Sequence, residues 1–143
     1  MKTVDIIVVG GGPAGAMFAQ LCPDGAEIVL IDQKSANESS FRKPCGGLLS
    51  PDAQRILSAY QMTLPKSVCT DPQIFAVKTM DIPAQLSCDY QRFYINMDRH
   101  QFDLWMMSRI PAHVRRIVGR CTAFQNVDGF YQVTYVDETQ TEQ

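Results

Sequence analysis

Charge of one sign is lacking in this chain: 13 Lys and Arg stand against 15 Asp and Glu, a net charge of −2, and neither sign is in block excess anywhere. That balance offers no basic field for nucleic acid or for an anionic membrane, and it disfavours association driven by charge. Long apolar runs are lacking too. The longest stretch, "VDIIVVGGGPAGAMFAQL", is broken by glycines and a proline, which suits neither a membrane span nor a signal peptide. A cytoplasmic chain is expected, with peripheral membrane contact left open. The five cysteines, Cys22, Cys45, Cys69, Cys88 and Cys121, are an odd number with no CxxC and no Cys/His pair at ligand spacing. This pattern argues against a disulfide framework and against a zinc site, so free thiols and no bound metal are expected. Repeats, low-complexity tracts and linkers are also missing. A chain of 143 residues, 45% of them hydrophobic, fits one globular domain or a piece of a larger one.

Glycine, by contrast, is concentrated. In "VVGGGPAG", residues 8 to 15, half of the positions have no side chain. The preceding "VDIIVV" is a mostly β-branched run of the kind expected for a strand buried on both faces. From Pro13 to Leu21 the pattern becomes helical, with Pro13 in the first turn, where its missing N–H costs nothing. "CPDG" ends that helix and "EIVLID", Glu27 to Asp32, reads as a second strand. Strand, helix and strand make a βαβ unit with a right-handed crossover.

Within such a unit the glycines have separate tasks. Gly10 permits the tight turn out of the strand, Gly12 lets backbone approach a phosphate, and Gly15 lets the helix lie close against the sheet. The helix N-terminus offers N–H groups and partial positive charge to an anion. Asp32, at the end of the second strand, can accept hydrogen bonds from a ribose. The order of strand, glycines, helix, strand and acid points to the pyrophosphate of a dinucleotide, and leaves open whether it is FAD or NAD.

"DIIVVGGGPAGAMFA" followed by "VLID" resembles the N-terminal fingerprint of FAD-dependent oxidoreductases of the glutathione reductase and aromatic hydroxylase type. Two further segments, "FRKPCGGLLSPDAQRIL" and "NMDRHQFDLWM", are similar to the geranylgeranyl reductase branch of those flavoproteins, in which a CGG loop and an Arg-x-x-x-Asp helix lie near the flavin. The resemblance implies an α/β, Rossmann-like FAD-binding domain with a central parallel sheet and an added antiparallel hairpin. It places Gly10, Gly12, Pro13, Ala14 and Gly15 at the pyrophosphate and Asp32 at the adenosine ribose. Arg42, Lys43, Cys45, Gly46 and Gly47 then fall beside the pyrophosphate or the flavin ring. Arg99 falls near the ribityl and phosphate region, with Asp103 able to hold it by an i,i+4 contact; the alternative for that pair is a surface ion pair. Cys45 is the candidate catalytic residue, and inert packing is its other reading. His100 and His113, in polar surroundings, are assigned no chemistry.

Elsewhere, "QIFAVKTMDI" and "QRFYINM" read as the strands of a hairpin over residues 73–96, covering the flavin on the substrate side. Its aromatics, Phe75, Tyr90, Phe93 and Tyr94, either line an apolar pocket or pack as an ordinary sheet. A helix is expected to begin near Ser50, with Pro51 first and Asp52 in the first turn. "HVRRIV" reads as a third parallel strand, and "RCTAFQNV" and "FYQVTYV" as a hairpin turning at Asp128-Gly129.

The flavoproteins of the resemblance go on to a further parallel strand, a Gly-Asp motif and a substrate domain. This chain has no Gly-Asp dipeptide and stops in "DETQTEQ", so a truncated FAD-binding domain over 1–143 is the expectation. The function implied is hydride transfer through FAD from NAD(P)H or another reductant to an apolar, isoprenoid-like small molecule. Hydroxylation or halogenation on the same fold, a non-catalytic dinucleotide-binding module, and an NAD(P)-binding module with another reaction remain alternatives.

Overall fold

The structure, a computed structural model, describes residues 2–35 and 42–137. The end of the polar tail and Phe41, at the head of "FRKPCGG", lie outside the described residues. In chain order the elements are β1 (Ile6–Val9), α1 (Pro13–Leu21), β2 (Ile28–Asp32), β3 (Leu48–Leu49), α2 (Pro51–Ala59), a 3₁₀ turn (Lys66–Val68), β4 (Ala76–Asp81), β5 (Leu86–Gln91), β6 (Ile95–Asn96), α3 (Arg99–Ser108), β7 (Arg115–Val127) and β8 (Phe130–Asp137). The chain divides into two compact units, residues 1–41 with 103–143 and residues 42–102.

The first unit is built on a four-stranded sheet in the order β1-β2-β7-β8. β1, β2 and β7 run parallel, and β8 returns antiparallel to β7. This is the α/β architecture expected, a central mostly parallel sheet with antiparallel additions. β2 is the strand that is buried, Ile28 to Ile31 all lying in the core. β1 is half-buried and Val9 is 55% exposed, which corrects the expectation of burial on both faces; β1 lies at the end of the strand order, so only one of its edges is paired in this sheet. Ala16 and Ala19 of α1 are fully buried, and their small side chains let the helix sit low.

β7 joins two expected elements into one strand. Arg115 to Val118 pair with β2, and Gly119 to Val127 pair with β8 across a register shift at Cys121/Ala123. The turn falls at Asp128-Gly129 as expected, with φ of 52° and 85°, the two left-handed residues of a tight hairpin.

In the second unit, α2 starts where expected: the Ser50 hydroxyl accepts from the Ala53 amide at 3.3 Å, and Pro51 follows at the first helical position. The hairpin pairs β4 with β5, Leu86 to Gln91, which corrects the second strand expected over Gln91–Met97. Ile95 and Asn96 instead pair with Leu49 and Leu48. All of β5 is exposed, so no apolar face imposes an alternating pattern on its sequence. α3 opens at Asp98, whose carboxylate accepts from the amides of His100 and Gln101 at 2.8 and 3.0 Å.

Candidate functional site

In the first unit the glycine loop is tied at both ends. The Gly10 amide donates to Ile31 O at 2.8 Å, and Gly10 has φ of 99°, a conformation that favours glycine. A Cβ on Gly15 would stand 1.9 Å from Gly10 O and 3.3 Å from Val8 Cγ1. Close packing of helix against strand therefore depends on its absence, as the sequence suggested. Gly12 is different: it precedes Pro13 with an ordinary φ of −65°, and a Cβ there would meet nothing within 4 Å. Among the described residues no backbone strain or close packing requires a glycine at that point.

Asp32 ends β2 beside this loop. Its Oδ2 accepts from the Gly11 amide at 2.5 Å and its Oδ1 from the Lys34 amide at 2.6 Å. Two N–H donors fix the carboxylate's orientation and leave other lone pairs available to a ligand. Neither Gly11 nor Lys34, whose amides hold this carboxylate, stands out in the sequence. A Cβ on Gly11 would lie 2.9 Å from Met107 Sδ, so a side chain there would displace the Met107 thioether. Lys34 Nζ meets Asp103 Oδ2 at 3.1 Å in a largely buried ion pair. No local pattern relates Asp103 to Lys34, 69 residues away.

The second unit gathers the other candidates. Arg99 Nη1 lies 3.8 Å from Cys45 Sγ, and the Gly47 amide lies 3.5 Å from the same sulfur, so the thiol sits between a cation and a backbone donor. Gly47 has φ of 69°, and a Cβ on it would stand 2.3 Å from Met97 O; its bareness serves the packing of the loop. Gly46, like Gly12, would place a Cβ in open space. Arg42, Lys43 and Cys45 are exposed.

The hairpin aromatics Phe75, Phe93 and Tyr90 are exposed to different degrees. Phe75 and Phe93 are 73% and 71% exposed, and Tyr90 lies under Arg92, 4.8 Å from guanidinium carbon to ring centre. Hydrogen bonding to Thr79 and then to Arg92 draws the Tyr90 phenol below its ordinary pKa of 10.0. An open cleft of about 260 Å³ lies elsewhere in this unit, lined by Leu49, Gln54, Leu57, Met62 and Ile95 among others. His100, expected in polar surroundings, is buried, and His113 faces Asp24 at 3.5 Å. None of the five cysteines is in a disulfide. Among the described residues there is no cluster of metal-ligating side chains, and no helix is long and apolar enough to cross a membrane.

No family model matches the chain. A 115-residue stretch, 80% of the chain, is 48% identical to a protein of Escherichia coli strain K12. The chain is similar to Protein CbrA. A CbrA of Shigella flexneri serotype 5b matches equally, at 48% over 115 residues. The chain spans about a third of the length of these CbrA proteins, 32% of the first and 31% of the second. Among solved structures, a geranylgeranyl bacteriochlorophyll reductase-like protein from Thermoplasma acidophilum superimposes with a TM-score of 0.74 at 17% identity, over 96% of this chain and 36% of that one. A flavin-dependent brominase gives 0.73 at 17% identity, over 98% and 35%. A flavoprotein/dehydrogenase from Cytophaga hutchinsonii gives 0.67 at 18%, over 99% and 36%. The fold is thus shared with flavoproteins, across the part of them that this chain spans.

Proposed function

We propose that the chain is the cofactor-binding part of an FAD-dependent oxidoreductase. The observation that carries this reading is Gly12: a helix N-terminus is left bare where neither backbone conformation nor packing asks for it. An external group that needs the backbone close accounts for it, and a pyrophosphate on the N–H groups of α1 is such a group. The residues present fit FAD. Gly10, Gly12, Pro13, Ala14 and Gly15 would hold the pyrophosphate and Asp32 the adenosine ribose, while the second bare loop, Cys45, Gly46 and Gly47 with Arg42, Lys43 and Arg99, would serve the flavin end. That second loop favours FAD over NAD, whose fingerprint needs only the first.

Bound there, FAD supplies the redox chemistry, with hydride taken from a reduced nicotinamide or another donor and delivered to an apolar, isoprenoid-like substrate. The chain's own residues bind and orient: α1 neutralises the diphosphate with its partial charge, Asp32 accepts from the ribose, and the 76–91 hairpin borders the substrate side. A cytoplasmic setting and a role without bound metal complete this reading. A monooxygenase or halogenase on the same fold is the second reading, favoured by a brominase likeness as strong as the reductase-like one.

Two experiments test the residues. Asp32→Ala is expected to weaken FAD by about 1.5–3 kcal/mol, the loss of a charge-assisted hydrogen bond. Because Asp32 also holds the Gly11 and Lys34 amides, Asp32→Asn, which keeps one acceptor, is the companion variant. Unchanged FAD affinity by fluorescence titration in both would exclude Asp32 from the site. For Cys45, alkylation by iodoacetamide is followed residue by residue. Cys45, Cys69 and Cys88 are all exposed and label in the cofactor-free protein. Added FAD is expected to slow labelling at Cys45 and leave Cys88 unchanged; equal rates with and without FAD would remove Cys45 from the cofactor loop.

A further inference from the structure

We propose that Lys34 and Asp103 are positioning residues for the nucleotide site, acting through a closed ring of contacts that sets the direction of the Asp32 carboxylate. The inference rests on the FAD reading above and concerns how that same site selects its ribose.

The ring can be traced atom by atom within the first unit. Asp32 Oδ1 accepts from the Lys34 amide at 2.6 Å. The Lys34 side chain reaches Asp103 Oδ2 at 3.1 Å, and the two side chains are only 19% and 8% exposed. One helical turn further along α3, Met107 presses on Gly11, where a Cβ would come within 2.9 Å of its sulfur. The Gly11 amide then donates to Asp32 Oδ2 at 2.5 Å, closing the circuit. Residues four apart share a helix face, so a single face of α3 carries both Asp103 and Met107.

Each link has a physical consequence. A buried ion pair is weak evidence for stability, because desolvation of both groups offsets their attraction, but it holds one geometry when both partners are fixed. Here it ties the segment after β2 to α3, and so fixes where the Lys34 amide points. Met107 lies against Gly11, so α3 also borders the second donor on Asp32. Both donors on Asp32 therefore border α3, although neither Asp103 nor Met107 need touch the nucleotide. If the ion pair is removed, the carboxylate keeps its charge and loses its aim.

The test separates aim from stability. Protein as it is expressed, stripped of nucleotide, is titrated with FAD and with an FAD analogue whose adenosine ribose lacks the 2′-hydroxyl, following flavin fluorescence. The parent is expected to prefer FAD by about tenfold or more, the value of a hydrogen bond to a charged group. The double variant Lys34→Met/Asp103→Leu leaves neither charge buried alone, and it is expected to bind the two flavins within about twofold of each other. Lys34→Arg, which keeps the charge, is expected to retain most of the preference. If the double variant does not fold, Lys34→Gln takes its place and is expected to lose at least half of the preference on a logarithmic scale. A parallel fall in both affinities with the ratio kept overturns the proposal, since a purely structural pair gives that result. A parent that binds FAD with no preference overturns it while leaving FAD binding intact, and a parent that binds neither flavin overturns the FAD reading itself.

Discussion

Gly12→Ala is expected to leave the stability of the protein within about 1 kcal/mol of the parent and to weaken FAD at least tenfold, about 1.4 kcal/mol. Loss of a favourable N-cap residue and the reduced freedom of the unfolded chain oppose each other at this position, and the added methyl group meets no protein atom within 4 Å. Under the proposed reading it obstructs the pyrophosphate. Gly15→Ala, three residues on, is expected to behave in the opposite manner. Its Cβ would overlap Gly10 O at 1.9 Å, and backbone cannot rotate away as a side chain can. Destabilisation of about 3 kcal/mol, the upper end of the cost of overpacking, is expected in urea denaturation. Two alanines in one loop thus separate a ligand-facing glycine from a packing one. Equal stability losses in the two variants would contradict the assignment.

The second large effect is expected at Gly47. Alanine there must adopt φ near 69°, which costs about 1–2 kcal/mol, and must also clear Met97 O, 2.3 Å from its Cβ. Gly47→Ala is expected to lose about 2–4 kcal/mol and to expose the Met97 amide, which donates to Gly47 O at 2.7 Å, to hydrogen exchange. Gly46→Ala, in open space, is expected to leave that amide protected. Protection of Met97 unaltered in Gly47→Ala would show that the loop accommodates a side chain by moving.

These contrasts mark the boundary of what the sequence discloses. The β1-α1-β2 unit was legible because each signal is local: β-branched runs, a proline in the first helical turn, and glycines at fixed offsets from a strand end. The same holds for the Ser50 cap and the Asp128-Gly129 turn, where residue chemistry alone selects the conformation. β5 was not legible, because a strand exposed on both faces has no burial to impose a period, and the more apolar "QRFYINM" drew the assignment away from it. The edge position of β1 was hidden for a related reason, since composition reports apolar content and not how many edges are paired. At the site, Asp32 stands out by its place at the strand end. Lys34 and Met107 do not, nor does the pairing of Lys34 with Asp103, because these links run through space from the end of β2 to α3 and leave no short-range pattern. Gly11 likewise lies close to Met107, a residue far along the chain, and no local pattern discloses it.

The central claim, that the bare backbone at Gly12 exists for a flavin dinucleotide, is tested most directly by the visible absorption spectrum of the purified protein beside that of Gly12→Ala. The account predicts the bands of oxidised flavin in the parent, at about one flavin per chain, and their loss in a variant that unfolds at the same urea concentration. A colourless parent that takes up no added FAD, or a Gly12→Ala protein that keeps stoichiometric flavin, would contradict it.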